Sequence, residues 1–298
     1  MKDISVSIIF VNYNTVSYLC KSIDSVLDKT QLIDFEIIVV DNNSIDHSKE
    51  IIHNKYGTKV IYLPLSENIG FGRANNEGIK IARGRNIFLL NPDTILINNA
   101  VKILSDFLDQ HVEVGVCGGN LYDENENPTI SFVRILPSIK EELDQFFFYL
   151  PSRIRYGKNK NFNYTKKNIN VKAVIGADMM IRKKVLEETG VFDPDFFMYH
   201  EELELCHRIS KANYKIKSVP DAKIIHLEGK SLSCDLEKRK KMLNARKLFY
   251  KKIHGNLYHF MVDCIFYQTA ALRIIVFCIL GNREKIRLWK YILKNIRY

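Results

Sequence analysis

Two apolar runs in the first hundred residues end abruptly in short polar side chains, and this pattern narrows the possible folds more than any other feature of the chain. Residues 35–40 lead into Asp41-Asn42-Asn43-Ser44, and Ile87-Phe88-Leu89-Leu90 leads into Asn91-Pro92-Asp93-Thr94, with a proline in the turn. Continuous apolar runs of this length suit strands buried on both faces. In open α/β sheets ligands lie beyond the carboxyl ends of such strands. Two acidic strand ends therefore predict one crevice with two polar arms, a geometry suited to a nucleotide with its diphosphate and a metal ion.

The rest of the first half alternates between two periodicities. Residues 6–11 read as a strand, and 16–27 as a helix with Leu19, Ile23, Val26 and Leu27 on one side, after a possible cap at Thr15. Further helices are expected over 46–55, 72–83 and 98–110. Strands are expected over 59–63, 86–90 and 115–120, before a polar turn at 123–128. Such βαβ repetition implies a parallel sheet covered by helices on both faces. The rhythm breaks over 138–170, where Phe146-Phe147-Phe148-Tyr149 precedes a Lys- and Asn-rich stretch. That segment reads either as a mobile loop making acceptor contacts or as a surface insertion packing its aromatics on the core.

With 298 residues, 46% of them hydrophobic, the chain can build a substantial core as one large domain or two small ones. Its six cysteines form no close pair, which favours a reducing compartment and packing roles. The start, Met1-Lys2-Asp3, precedes no long apolar core with a cleavage site, so no secretory leader is expected. The net charge of +10 resides in the tail: residues 236–298 hold 15 Lys and Arg against 3 Asp and Glu, and the remainder holds 29 against 31. Within it, residues 237–252 are densely basic, and 258–280 are apolar but interrupted by Asp263, Gln268 and Arg273. A spanning helix needs about 20 largely uncharged residues, so this tail reads as an interfacial or protein-packed helix with an anionic membrane surface as its natural partner. The alternative is a helical subdomain with a solvated basic face. No nucleic-acid motif accompanies the charge, so nucleic acid is not expected as a partner.

The motifs occur in a consistent order. Val11-Asn12-Tyr13-Asn14 is followed by Val39-Val40-Asp41-Asn42-Asn43-Ser44-Ile45-Asp46. Then come Glu67-Asn68-Ile69-Gly70-Phe71-Gly72-Arg73-Ala74-Asn75-Asn76 and Leu90-Asn91-Pro92-Asp93. Later come Gly176-Ala177-Asp178-Met179-Met180, Phe192-Asp193 through Phe196-Phe197-Met198-Tyr199-His200-Glu201-Glu202, and His226-Leu227-Glu228-Gly229-Lys230-Ser231. Together these resemble the family 2 glycosyltransferases over residues 5–250, most strongly the rhamnosyltransferase-like branch. The resemblance implies the GT-A fold: an α/β, mostly parallel nucleotide-binding sheet flanked by helices. The expected organisation is a glycosyltransferase domain over 1–235, with a nucleotide-sugar half over 1–120 and an acceptor half over 121–235, then a basic amphipathic helical tail over 236–298. It also implies a nucleotide-diphosphate sugar donor and Mg²⁺ or Mn²⁺.

Individual residues acquire roles on this basis. Asn12, Tyr13 and Asn14 supply a polar turn against which a base or ribose can lie. Asp41 can accept from the N–H edge of a pyrimidine, or Asp41 and Ser44 can cap the following helix. With them in the nucleotide-sugar set stand Asn43, Asn68, Gly70, Asn75 and Asn91. Glycines 70 and 72 admit close backbone approach. Asp178 is expected to contact donor sugar or acceptor hydroxyls, or to serve in a turn or hydrogen-bonding role. By resemblance, Asp93 anchors the metal in a variant of the family's Asp-x-Asp pattern whose first position is Asn91, and His226 can add a nitrogen ligand. Glu202, in the family's second acidic position, is the expected base, with Glu201 beside it. Glu204 and Arg208, four residues apart, read as an intrahelical pair. These roles describe an inverting glycosyltransferase. By resemblance it moves rhamnose from deoxythymidine-diphosphate rhamnose to a glycan acceptor, lipid-linked, at the cytoplasmic membrane face. A nicotinamide-dependent oxidoreductase would share such a sheet, but Asn75 stands where its third fingerprint glycine belongs. A non-catalytic membrane adaptor would rest on the basic tail alone.

Overall fold

The computed structural model describes residues 4–227 and 235–296. The chain divides into two compact units, one of Met1–Arg134 with Asn161–Ser233 and one of Ile135–Lys160 with Cys234–Tyr298. The first unit opens with the anticipated alternation: β1 (Val6–Asn12), α1 (Val16–Lys29), β2 (Phe35–Asp41), α2 (Ser48–Tyr56), β3 (Val60–Pro64), α3 (Phe71–Ile81), β4 (Asn86–Leu90), β5 (Thr94–Leu96), α4 (Ala100–Gln110) and β6 (Val114–Tyr122). Helix α2 starts two residues later than its sequence pattern suggests. Asp46 instead turns its carboxylate to the Val16 amide, 2.9 Å away at the start of α1. Thr15, the expected cap of α1, makes no capping bond and donates to Asn12 at 2.9 Å.

Residues alternate across the buried strands, as the two-residue repeat requires. Val6, Ile8 and Phe10 of β1 join Leu19, Ile23 and Val26 of α1 and Leu104 of α4 in the main core. Ile9 and Val40 face the other way, onto α3. There a Cβ added to Gly78 would come within 2.7 Å of the Ile9 side chain, so the absence of a side chain lets α3 lie close on the sheet.

After β6 the first unit adds β7 (Phe132–Val133). The second unit then takes α5 (Ile139–Phe146) and α6 (Leu150–Tyr156) before the chain returns through β8 (Ile169–Asn170), β9 (Ala173–Val174), β10 (Asp178–Arg182), α7 (Lys183–Thr189), α8 (Glu201–Lys211) and β11 (Lys215–His226). The main sheet runs β3-β2-β1-β4-β10-β6-β11-β5, with β8 also on β11, and β7 pairs separately with β9. Strands β3, β2, β1 and β4 are parallel, as expected. Beyond them the sheet is mixed: β10 is antiparallel to both β4 and β6, and β11 is parallel to β6 but antiparallel to β5. The chain re-enters the sheet from the short β9 segment rather than from a crossover helix, and only parallel pairing demands such a crossover.

The second unit is helical, completed by α9 (Asp235–His254), α10 (Asn256–Ile279) and α11 (Arg283–Ile296). Within the 138–170 stretch, read as either a mobile loop or a surface insertion, Ile139–Phe146 and Leu150–Tyr156 are two short helices in the same unit as the tail. Fully buried Glu142 pairs with Arg246 and accepts the Tyr250 hydroxyl at 2.8 Å. Ile139 N donates to the Tyr258 hydroxyl at 2.9 Å, and Arg273 donates to the Gln145 carbonyl at 2.5 Å. The partners that order α5 lie over a hundred residues later, beyond any local pattern. Phe266 and Ile292 form a small core with Trp289 packed on it. By length and composition α10 is the one helix among the described residues that is long and apolar enough to cross a membrane, with mean hydropathy 1.7.

Candidate active site

The register of the sheet gathers the expected polar residues at one edge. Asn12 of β1 stands opposite Asp41 of β2, and Asp41 opposite Pro64 of β3. Strand β10 begins with Asp178 opposite Leu90, the last residue of β4. Strand β11 ends with His226 opposite Thr94, just past the Asn91-Pro92-Asp93 turn. Because β1 to β4 are parallel, their carboxyl ends form a common rim, where loops can converge on a ligand.

The first loops of that rim are stitched together by side chains. Asn12 is fully buried, with its amide nitrogen 2.8 Å from Asp41 Oδ1, 3.0 Å from Ser44 Oγ and 2.8 Å from Ser48 Oγ. Asp41 Oδ2 accepts from the Ser44 amide at 3.2 Å, closing a turn, while the N-cap of α2 is His47. Asp41 thus shapes the loop and does not cap that helix. Burial and the adjacent Asp41 carboxylate push the Tyr62 phenol well above its usual range. Asn14 and Asn43 adopt left-handed conformations, φ 56° and 66°, which Asn tolerates better than most residues. Tyr13, Asn14 and Asn43 are exposed on this rim.

The glycine-bearing segment ties the rim to the acidic loop. Asn42, to which the sequence assigned no separate role, donates to Asn68 Oδ1 at 2.8 Å and accepts from the Ile69 amide at 2.9 Å. Gly70 has φ +90°, and a Cβ there would lie 2.3 Å from the Phe197 carbonyl oxygen, so both backbone conformation and space require glycine. That carbonyl accepts from the Phe71 amide at 2.9 Å. Asn76 grips Phe192 twice, donating to its carbonyl at 2.9 Å and accepting its amide at 3.0 Å. Asn75 is buried and donates to the Phe71 carbonyl at 3.1 Å. The first turns of α3 therefore hold the loop leading to α8, where Tyr199 and His200 are both left-handed, at φ 71° and 66°. Strained backbone of this kind persists only where surrounding contacts fix it.

Glu201, Glu202 and Glu204 occupy the first turn of α8, a position its dipole favours for acids. Glu204 is committed to Arg208, with contacts of 2.7 and 2.8 Å, as its spacing predicted. Glu202 is half-buried, and burial raises its carboxyl to about 7 against backbone hydrogen bonds at the helix start. Burial first, then the charge of Glu202, pushes Glu201 well above the usual carboxylate range, and its Oε2 has no hydrogen-bond partner. A Cβ added to Gly176 would sit 3.6 Å from the Phe71 ring and 3.8 Å from the Glu202 Cβ, so this glycine keeps open the space beside Glu202. Its neighbour Ala177 offers a carbonyl to the Asn91 amide at 3.0 Å. The two residues of this turn thus link the acidic helix start to the β4 rim.

On that rim Asp93 Oδ1 lies 3.4 Å from His226 Nε2, both groups nearly buried. Asn91 Nδ2 is 3.4 Å from the same imidazole nitrogen, while the side-chain oxygen Oδ1 of Asn91 is buried without a hydrogen-bond partner. The Leu227 amide donates to the Asp93 carbonyl at 2.9 Å, bracing the contact. Among the described residues no group of three or more His, Cys, Asp or Glu clusters as a cation site. The end of the last motif, Glu228-Gly229-Lys230-Ser231, lies outside the described residues. For Asp178 the structure shows the hydrogen-bonding alternative. The residue is fully buried, with Oδ2 accepting the Gly119 amide at 2.6 Å to tie β10 to β6, and burial pushes its carboxyl well up.

The fold that carries this edge is that of the GT-A glycosyltransferases. A profile of the glycosyl transferase family 2 matches residues 7–190, and the chain belongs to that family. The low-salt glycan biosynthesis hexosyltransferase Agl10 of Haloferax volcanii is 26% identical over 282 residues, covering 90% of this chain and 81% of Agl10. The minor teichoic acid biosynthesis protein GgaB of Bacillus subtilis is 31% identical over 45% of this chain, and that match spans only 16% of GgaB. In fold, the chain is similar to GalNAc-T7 solved with UDP, GalNAc and Mn²⁺ (TM-score 0.60, 17% identity), over 83% of this chain and 48% of that one. It is also similar to S. aureus TarS (TM-score 0.55, 20% identity), over 89% of this chain and 43% of that one. Membership in this family removes the oxidoreductase and adaptor readings.

Proposed function

We propose that this chain is an inverting glycosyltransferase that moves a sugar from a nucleotide diphosphate to a hydroxyl of a glycan acceptor. The observation that carries the reading is the Gly176-Ala177 turn, which borders Glu202 on one side and bonds Asn91 of the Asp93 rim on the other. A base beside the donor site is what the reaction needs. Glu202 takes the proton of the acceptor hydroxyl as that oxygen bonds the anomeric carbon. On the opposite face the bond to the diphosphate oxygen breaks, and its electron pair leaves with the nucleotide. Its elevated carboxyl suits a base working near neutrality. Asp41, with Tyr13, Asn14 and Asn43 around it, receives the base and ribose.

Asp93, His226 and the unpartnered side-chain oxygen Oδ1 of Asn91 would hold Mg²⁺ or Mn²⁺, since a carboxylate, an amide oxygen and an imidazole make a fitting donor set. When bound, the ion offsets charge on the diphosphate leaving group. The imidazole nitrogen favours Mn²⁺ over Mg²⁺. For the donor we propose deoxythymidine-diphosphate rhamnose, supported by the motif resemblance. A UDP-hexose is the second reading, favoured by a relative named a hexosyltransferase and by fold neighbours solved with UDP. The acceptor we propose is lipid-linked, at the cytoplasmic face of the membrane, with the basic tail on anionic lipid. The test offers radiolabelled nucleotide sugars to the purified chain, with and without Mn²⁺. Release or transfer of label from dTDP-rhamnose alone supports the first donor, turnover of UDP-sugars only selects the second, and no turnover of any donor refutes the proposal.

A further inference from the structure

We infer that the corner between α5 and α6, together with the C-terminal half of α10, forms the apolar wedge that seats this protein on an anionic lipid surface. The inference rests on the membrane part of the proposed function and names the surface that carries it. Phe148 and Tyr149 are consecutive left-handed residues, φ 56° and 62°, so the chain reverses sharply there and leaves Phe147, Leu150 and Ile154 exposed. The corner is fixed to α10 within the same unit: the Arg273 guanidinium lies 3.6 Å from the Phe148 ring centroid and also donates to the Gln145 carbonyl. Past Arg273, α10 exposes Ile275 and Ile279, the latter at 80%, and Leu280 follows as its exposed C-cap. Large apolar side chains exposed at the corner and at the end of the helix that braces it mark a contact surface and not an ordinary solvated face.

The flanks of the wedge decide what it contacts. Arg153, Arg155 and Lys158 follow the corner, all exposed, and residues 147–160 contain no acid. Arg283, Lys285 and Arg287 follow α10, also exposed, with Glu284 the one acid among residues 275–290. An apolar centre with a cationic rim matches a bilayer interface, where the former enters the acyl boundary and the latter meets anionic headgroups. A second copy fits poorly, because a two-fold interface would set this cationic rim against itself.

The test is co-sedimentation of the full chain with vesicles of phosphatidylcholine alone and of phosphatidylcholine mixed with phosphatidylglycerol. The wild type binds the mixed vesicles and not the neutral ones. Replacing Phe147, Leu150 and Ile279 together with Ser weakens that binding about tenfold or more, and Arg153→Gln with Arg155→Gln weakens it by a smaller factor. Nucleotide-induced thermal shift is unchanged in both variants, which separates lost membrane contact from lost folding. If the wild type binds and the triple variant binds equally well, the wedge is refuted while the membrane reading stands. Failure of the wild type to bind anionic vesicles refutes both. A dimer in sedimentation velocity that the triple variant dissociates, with vesicle binding unchanged, reassigns the patch to self-association and overturns the inference.

Discussion

Buried carboxylates in this chain meet two opposite fates: Glu142 of the helical unit, like Glu36 and Glu204 of the sheet unit, is matched by an arginine, and others are left without a cation. In the helical unit Glu142 is fully buried against Arg246 and the Tyr250 hydroxyl, with the Arg246 guanidinium lying 4.3 Å from the Phe266 ring centroid. In the sheet unit neither Asp178, Glu201 nor Glu202 has a Lys or Arg ion-pair partner among the described residues, and burial pushes all three carboxyls up. A matched pair contributes to one arrangement of helices and makes neither member available for chemistry. An unmatched acid costs stability, and at Glu202 burial lifts the carboxyl to about 7, where it exchanges protons near neutral pH. At Glu202 that contrast marks the candidate reaction centre, while Asp178, equally unmatched, bonds the Gly119 amide within the sheet.

The sharpest way to break the contrast is Glu202→Gln. Turnover should fall by about 10³- to 10⁴-fold with nucleotide affinity unchanged, and retained turnover would move the base to Glu201 or elsewhere. In the other unit, Glu142→Ala strands the Arg246 guanidinium in the interior and should cost about 3–5 kcal/mol in urea unfolding. Replacing both partners, Glu142→Leu with Arg246→Met, should recover most of that loss, and a neutral single mutant would show that the pair has no such role. Asp93→Ala should lower turnover about 10²-fold and abolish its dependence on added Mn²⁺. Turnover and metal dependence both unchanged would remove Asp93 from the ion site.

Two smaller effects sharpen the comparison. A base with its carboxyl at about 7 must be ionised to act, so kcat/KM should rise with pH to a plateau above about 7. The same shift has a signed effect on stability. Glu202 in the folded state holds its proton more tightly than the unfolded reference of 4.5, so its contribution is greatest below that value and is lost as pH rises through about 7. The melting temperature of Glu202→Gln should therefore decline less than that of the wild type between pH 5 and pH 8, and identical slopes would contradict the shift. Asp178→Asn should change turnover least, by about twofold or less, because its carboxyl bonds Gly119 inside the sheet. A large loss of activity with normal folding would return Asp178 to the sugar site.

Much of the site could be read in advance because its residues follow buried strands. Asp41 and Asp93 come directly after apolar runs, and parallel strands bring their carboxyl ends to one rim whatever the details of packing. The paired acids that open α8 and the glycine at 70 were also legible, since each is a local exception to its surroundings. The work of Asn42, Asp46 and Asn76 was not. Their side chains bond backbone amides and carbonyls about 27 to 116 residues away in sequence, and an isolated Asn or Asp reads only as a turn former. That α5 and α6 are helices was not legible for the same reason, because Glu142 in a short polar segment gives no sign of the arginine that matches it.

Composition and order alone determined the family, the alternation of strands and helices, the acidic strand ends and the concentration of positive charge in the final sixty residues. Those properties depend on neighbours a few positions apart or on sums over a segment, so they survive without coordinates. Tertiary structure alone decided which buried acid meets a cation, that β10 enters the sheet antiparallel, and that residues 135–160 join the tail in one helical unit. Each of those outcomes turns on contacts between residues far apart in the chain, where packing and desolvation act on distance in space and not on separation in sequence.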